Sequence, residues 1–173
     1  ESGYLGFLRD SPSAAQRLCH VLSNSRFLGD ALNKSVESVT WLGNDDSLQP
    51  RSRESLDIQT KATLERNAGN INDFANSIRA MRRHEIERIG LAWMSGVIDD
   101  EASLAGMTDV YDAAIEASLQ WAIQHRINDI QIDEAPAAIA IIGMGRYGGR
   151  EVNFSSDADV IIIYRPAEGA DDD

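Results

Sequence analysis

Residues Gly143–Tyr164 read GMGRYGGREVNFSSDADVIIIY, and this segment is the most informative part of the sequence about the fold. An apolar run, Ala137–Ile142, precedes it, and it ends in a second apolar run, Val160–Tyr164. Short runs rich in isoleucine and valine are typical of buried strands. The stretch therefore predicts two buried strands joined by a glycine-dense loop.

The loop contains the pattern GxGxxG at Gly143, Gly145 and Gly148, directly after the first predicted strand. Taken alone, this pattern suggests a Rossmann site for a dinucleotide such as NAD. A Rossmann motif opens a helix of some length, whereas only a short segment separates the last glycine from Asp157. That segment contains the poor helix formers Asn153, Ser155 and Ser156. The context therefore disfavours the Rossmann interpretation.

Asp157 and Asp159 stand two residues apart at the start of an extended run. Side chains at i and i+2 of a strand point to the same side, so both carboxylates are expected to project together. Two close carboxylates repel each other unless a cation lies between them. Mg²⁺ takes carboxylate oxygens and keeps water or phosphate oxygens in its shell. We therefore predict that Asp157 and Asp159 are catalytic residues that bind Mg²⁺.

The loop before these aspartates has the composition of a triphosphate-binding segment. Its glycines allow backbone N–H groups to approach phosphate oxygens closely. Arg146 and Arg150 are suited to bidentate phosphate contacts, and a serine hydroxyl adds a donor. Each feature alone is weak evidence for such a segment, but the order of these features along the chain is much more specific evidence for it. The predicted nucleotide-binding residues are Gly143, Gly145, Arg146, Gly148, Gly149, Ser155 and Ser156.

Gly143–Tyr164 resembles the signature of the glutamine synthetase adenylyltransferase family, GMGxxGGxExxxxSDxDxxxxY. That family is part of the nucleotidyltransferases of the DNA-polymerase-β type, so the resemblance implies that fold, with Mg²⁺ as cofactor and ATP as substrate. A third carboxylate on a later strand completes the family's site. Asp171–Asp173 are interpreted as an acidic tail and not as that ligand. We therefore expect the chain alone to be inactive.

Enzymes of this family carry two such domains. One transfers AMP from ATP to a tyrosine of glutamine synthetase, and the other removes it by phosphorolysis. Gly145–Gly149 together with Ser156–Asp159 favours the adenylylating copy, whereas Asn153–Ser156 is also typical of the deadenylylating copy. Both reactions therefore stay open. The resemblance implies glutamine synthetase as a partner, and a PII-type signal protein as another.

The sequence before the strands predicts helices throughout residues 1–130. Some segments resemble the helical part ahead of the second catalytic domain in actinobacterial members of the family, among them Leu8–Ser11, Val21–Arg26, Met81–Glu85 and Leu104–Ala113. We predict an α+β chain, with a helical subdomain at 1–130 and the start of a nucleotidyltransferase domain at 136–173. Two strands do not form a stable sheet, so further strands are expected after Asp173 or from another chain.

Helical periodicity also predicts local features of this helical part. Asp10 or Ser11 caps a helix with Pro12 in its first turn, and Asn70 caps a later helix. Asp99–Ala105 is predicted to be a short helix separate from a longer one that follows it. The predicted apolar face of the first capped helix includes Leu22 and a buried Cys19 thiol, and that of the next helix includes Phe27.

Composition limits the classes of function. The net charge of −12 disfavours a nucleic-acid partner, and no apolar run is long enough to span a membrane. The single cysteine excludes an internal disulfide and a cysteine metal cluster, and it fits a cytoplasmic location. A different class of function also stays open, in which the helical part is a non-catalytic regulatory module. Binding of ATP with Mg²⁺ distinguishes that class from the enzymes.

Overall fold

The structure is a computed structural model that describes residues 2–132 and 134–167. The predicted acidic tail, Asp171–Asp173, lies outside the described residues. Helices fill the first part of the chain, and two strands flank a short helical turn near its end. The elements are α1 Ser2–Asp10, α2 Pro12–Asn24, α3 Arg26–Lys34, a 3₁₀ helix Val36–Gly43, α4 Asp45–Leu48, α5 Arg53–Arg66, α6 Ile71–Met94, α7 Asp100–Ile130, β1 Ala137–Gly143, α8 Gly145–Gly148 and β2 Val160–Pro166.

Side-chain caps fix the starts of the two longest helices. The Asn70 side chain accepts hydrogen bonds from the N–H groups of Asn72 and Asp73 at the start of α6. The Asp99 side chain accepts from the N–H of Ala102 at the start of α7. These bonds satisfy N–H groups that have no partner inside the helix.

The predicted break after Ala105 was wrong, because Asp100–Ile130 forms one continuous helix. Gly106 lies inside it and is buried against α6. A Cβ at Gly106 would lie 3.4 Å from the Cδ1 of Ile89, so this glycine provides room for close helix packing. Burial between two helices therefore outweighs the low helix propensity of glycine at this position.

Two hydrophobic clusters form the core, and α6 contributes to both. The first lies between α5, α6 and α7 and also takes in Tyr147 and Val152, which follow β1. The second joins α2, α3, the 3₁₀ helix and α4 to the end of α6 through Leu91 and Ala92. The loop after β1 is thus attached to the helical core by two of its own side chains.

The predicted apolar faces of the first helices were partly wrong. Cys19 is exposed, and so are Leu22 and Phe27. The helix α2 buries Ala14 and Val21 instead. Successive residues of a helix are rotated by about 100°, so Cys19 lies about 140° around the helix from Ala14.

The two predicted strands are present and pair in antiparallel fashion from Ala137↔Pro166 to Gly143↔Val160. Their predicted burial was wrong, since Ile162 is 63% exposed and Tyr164 is 73% exposed. Among the described residues, neither hydrophobic cluster includes a residue of β1 or β2. The strands are exposed because the described helices do not cover them. The fold is therefore α+β, mostly helical with a two-stranded sheet.

Of the helices that the structure describes, none combines the length and the apolarity needed to cross a membrane.

Candidate functional site

The glycine loop leaves β1 and forms a single compact turn. Gly145 has a φ of +53°, in the left-handed region that favours glycine. The N–H of Gly148 donates to the carbonyl of Met144 at 2.9 Å, and the N–H of Glu151 donates to the carbonyl of Arg146 at 2.7 Å. A Cβ at Gly148 would overlap the carbonyl oxygen of Gly143. The turn therefore requires glycine at positions 145 and 148.

The turn contains backbone hydrogen-bond donors that lack an acceptor among the described residues. Within the described part of the chain, the backbone N–H groups of Gly145, Arg146 and Tyr147 donate to no acceptor. Arg146 is exposed and takes part in none of the ion pairs found among the described residues. Clustered N–H groups beside an exposed guanidinium suit the binding of phosphate oxygens.

The segment with the two aspartates lies beside this turn. The N–H of Met144 donates to the carbonyl of Asp159 at 2.8 Å, one residue beyond the β1–β2 pairing. A Cβ at Gly145 would lie 3.5 Å from Oδ2 of Asp159, so this carboxylate is next to the loop. The glycine loop and Asp159 are therefore adjacent in the structure.

Asp157 and Asp159 precede β2 and do not lie within it, because the strand begins at Val160. Both aspartates are exposed, whereas Ala158 between them packs against the first hydrophobic cluster. The two aspartates are therefore exposed on either side of a partly buried residue, and their joint binding of one ion stays a prediction.

The donor set fits a hard cation that keeps several ligands of its own. Two exposed carboxylates supply the oxygen donors that Mg²⁺ prefers. Residues 2–132 and 134–167 contain no group of three His, Cys, Asp or Glu side chains able to hold a metal ion. Asp157 and Asp159 would therefore hold an ion that takes its remaining ligands from water, phosphate or residues outside this part of the chain.

Ser155 and Ser156 form part of a hydrogen-bonded turn ahead of Asp157. Oδ1 of Asn153 accepts from the hydroxyl of Ser155 at 3.1 Å and from that of Ser156 at 3.0 Å. The hydroxyl of Tyr111 donates to the carbonyl of Ser156 at 3.4 Å, which links the turn to α7. In the structure these serines shape the backbone before the aspartates, and their role in nucleotide binding stays a prediction.

Arg150 faces α7 and not the solvent side of the loop. Its Nη2 lies 2.6 Å from Oδ1 of Asp109, and its Nη1 lies 3.4 Å from Oδ2 of Asp112. The hydrogen bond that Arg150 donates to Asp109 is the main cause that raises the pKa of Arg150. Arg150 thus pairs with α7 in this structure, and its phosphate contact stays a prediction.

Tyr147 is a site residue that sequence reasoning missed. The residue is 8% exposed, and its hydroxyl donates to Oδ1 of Asp112 at 2.6 Å. Burial is the first cause that raises the pKa of the Tyr147 hydroxyl, and the hydrogen bond to Asp112 is the second. The available signal was a large aromatic residue in the middle of a glycine loop, which indicates a packing contact.

The family model described as glutamate–ammonia ligase adenylyltransferase matches residues 15–173. The chain belongs to this family. The match confirms the resemblance that the motif Gly143–Tyr164 indicated.

Relatives of the chain are adenylyltransferase family members from actinobacteria. It is 73% identical over 172 residues to a bifunctional glutamine synthetase adenylyltransferase/adenylyl-removing enzyme of Bifidobacterium longum, strain DJO10A. Relatives with the same description are 38% identical in Leifsonia xyli and 37% identical in Mycobacterium tuberculosis, strain H37Rv.

These alignments cover 98 to 99% of the chain but only 16 to 17% of each relative. The chain thus spans about a sixth of the length of the curated relatives that it matches. No solved structure matches it.

Proposed function

We propose that this chain is a section of a longer enzyme that transfers AMP from MgATP to a tyrosine of glutamine synthetase. In this proposal, residues 1–130 form a helical subdomain and residues 136–173 begin a nucleotidyltransferase domain of the polymerase-β type. The observation that carries the proposal is the contact between the glycine loop and the aspartate segment, made by Met144 and Asp159 at 2.8 Å. The description of the relatives supplies the reaction class.

In this proposal, the aspartates bind the metal ion and the glycine loop binds the triphosphate. Asp157 and Asp159 would hold Mg²⁺, which when bound neutralises phosphate charge and lowers the pKa of a nearby hydroxyl. The loop Gly143–Gly149 would orient the triphosphate through its N–H groups, and Arg146 would pair with a phosphate oxygen. Ser155 and Ser156 would set the backbone that presents the aspartates. A third carboxylate would come from elsewhere in the longer protein.

The transfer itself is a displacement at phosphorus. The tyrosine oxygen bonds to the α-phosphorus of ATP while the bond from that phosphorus to the pyrophosphate oxygen breaks. The hydroxyl proton is released, and pyrophosphate leaves. Fixed positions of the triphosphate and of both aspartates would lower the barrier by orientation and by charge stabilisation.

The second candidate is phosphorolytic removal of AMP from the same tyrosine. It is favoured by the description of the relatives, which names an adenylyl-removing activity beside the transferase. The same aspartates and loop would serve, with inorganic phosphate as the acceptor. We place this reaction second because Gly145–Gly149 and Ser156–Asp159 favour the adenylylating copy. The reaction would take place in the cytoplasm, with a PII-type protein as a further partner.

The test uses the full-length enzyme that contains this chain, with Asp157→Asn and Asp159→Asn combined. The intact enzyme is incubated with glutamine synthetase, Mg²⁺ and ATP labelled in the α-phosphate. We expect labelled synthetase with the intact enzyme and loss of most label with the variant. Release of AMP from adenylylated synthetase on addition of phosphate should continue in the variant.

A matched control removes two charges elsewhere. Asp10 and Asp129 are exposed and pair with Arg9 and Arg126, so Asp10→Asn with Asp129→Asn should leave both reactions unchanged. If the active-site variant kept transfer and lost phosphorolysis, the second candidate would replace the first. If both reactions continued unchanged, the chain would be a non-catalytic module.

A further inference from the structure

Asp112 on α7 lies at the centre of a polar network that joins three parts of the chain. Its Oδ1 accepts from the hydroxyl of Tyr147 at 2.6 Å. Its Oδ2 lies 3.3 Å from Nη1 of Arg53 on α5 and 3.4 Å from Nη1 of Arg150. Asp112 thus contacts the glycine loop on one side and a neighbouring helix on the other.

Each of the two arginines in the network also pairs with a carboxylate other than Asp112. Nη2 of Arg53 lies 2.5 Å from Glu116, and its Nε lies 2.7 Å from Asp57. Asp109, one turn before Asp112 on α7, takes the other end of Arg150 at 2.6 Å. Both arginines that face Asp112 are therefore fixed by further contacts, which limits the positions that the Asp112 carboxylate can adopt.

The glycine loop needs such an external anchor. Its helical part, Gly145–Gly148, is a single turn, and isolated turns of helix are unstable because nucleation is unfavourable. Arg150 has a φ of +58°, which is costly for a residue other than glycine. Tyr147 and Val152 are the buried anchors of this loop, and only Tyr147 lies within the turn itself.

Tyr147 is adjacent to the groups that would bind phosphate. Arg146 precedes it, and its own N–H is one of the three that lack an acceptor among the described residues. Tyr147 is packed in the first hydrophobic cluster, so its position limits how far the attached backbone, with those N–H groups, can move. The contact with Asp112 helps to hold the side chain there.

We propose that Asp112 is a positioning residue for the nucleotide: by holding Tyr147 and Arg150, it fixes the glycine loop in the orientation that binds the triphosphate. The inference rests on the proposed function. Asp112 does not itself touch the nucleotide, and its effect passes through the loop. The helical subdomain thereby becomes part of the nucleotide site.

The test measures ATP affinity at this loop in the full-length enzyme. Hydrogen exchange of the peptide Gly143–Val152 is followed during titration with ATP and Mg²⁺, so that only this site is observed. We expect Asp112→Ala and Tyr147→Phe each to raise the ATP dissociation constant about tenfold, the scale of one hydrogen bond to a charged group. Asp112→Asn keeps an acceptor for Tyr147 and should have a smaller effect.

A double variant distinguishes positioning from general damage. Asp112→Ala with Tyr147→Phe should weaken ATP binding no more than Asp112→Ala alone, because Asp112→Ala already removes the contact that Tyr147→Phe removes. The dissociation constant for glutamine synthetase should stay unchanged. Asp129→Asn, which removes an exposed ion pair on the same helix, is the control and should leave ATP affinity unchanged.

Two outcomes would overturn the inference in different ways. If the intact enzyme showed ATP protection of the loop and Asp112→Ala stayed within twofold of it, the positioning role alone would be wrong. If ATP gave no protection of the loop in the intact enzyme, the proposed function would fail as well.

Discussion

Gly148 and Gly143 are in close contact across the base of the glycine loop. A Cβ on Gly148 would lie 2.8 Å from the carbonyl carbon of Gly143 and would overlap its oxygen. The Gly143 carbonyl belongs to the last residue of β1, which is paired with Val160. The backbone therefore cannot move aside without breaking the pairing that leads to the aspartates.

Replacement of Gly148 by alanine should lower the free energy of unfolding by about 1–3 kcal/mol, the usual range for overpacking. The measurement is chemical denaturation followed by circular dichroism. Gly69→Ala is the control, since no atom lies within 4 Å of a Cβ at that position, and a change within about 0.5 kcal/mol is expected there. Equal stability of the Gly148→Ala variant and the unchanged chain would show that the loop is less constrained than described.

Glu85 joins three parts of the helical core through a buried ion-pair cluster. Its carboxylate lies 3.1 Å from Arg51 and 3.1 Å from Arg88, and the guanidinium of Arg88 stacks on Trp41 at 4.2 Å. Burial by itself raises the pKa of Glu85. The hydrogen bond with His84 and the charges of Arg88 and Arg51 together outweigh burial, so the pKa lies below its ordinary value of 4.5.

A lowered carboxyl pKa contributes stability that is present above pH 4.5 and is lost as the pH falls through the lower value of the folded state. We expect Glu85→Gln to destabilise the chain at pH 7 by about 3 kcal/mol, because two arginines lose their buried partner. The difference between the unchanged chain and the variant should shrink below pH 4.5. Unfolding free energies measured from pH 7 to pH 3 test this, and a difference that is constant over that range would contradict it.

The pKa of Glu87 is shifted in the opposite direction to that of Glu85, above its ordinary value. It is 5% exposed, and its Oε1 has no hydrogen-bond partner in the described part of the chain. Burial raises the pKa of Glu87, against a smaller opposing effect of the hydrogen bond with Ser38. Stability from a raised carboxyl pKa is present below pH 4.5 and is lost as the pH rises through the higher folded value.

Glu87→Gln removes this charge without changing the shape of the side chain. We expect the variant to be more stable than the unchanged chain at pH 7 by about 1 kcal/mol, the cost of one unsatisfied buried group. The gain should disappear at pH 4. Thermal unfolding at both pH values provides the comparison, and a loss of stability at pH 7 would show that the hydrogen bond with Ser38 stabilises the charged carboxylate more than burial destabilises it.

Cys19 is exposed on α2, so its thiol should react with a disulfide reagent in the folded chain. We expect complete labelling without denaturant, at a rate that denaturant raises only slightly, and no labelling of a Cys19→Ser variant. Absorbance of the released thiolate follows the reaction. If labelling required unfolding, the Cys19 thiol would be buried, as the helix pattern predicted.

The sequence was sufficient for local features. The Asn70 cap and the strand–loop–strand unit follow from nearby residues and are present in the structure. The pairing of Tyr147 with Asp112 could not be predicted, because these residues are 35 positions apart and no periodicity links them. The burial of β1 and β2 was predicted wrongly for a related reason. The burial of a strand depends on which elements pack against it. An apolar run in the sequence does not show whether any element packs there.

In the proposed function, the glycine loop and the two aspartates form one site for a metal–nucleotide complex. The most direct measurement counts Mn²⁺ ions bound together with ATP, by electron paramagnetic resonance, in the full-length enzyme and in its Asp157→Asn, Asp159→Asn variant. Mn²⁺ replaces Mg²⁺ at carboxylate sites and is visible by this method. The account predicts fewer ATP-dependent Mn²⁺ ions in the variant than in the intact enzyme. The same number in both proteins would contradict it.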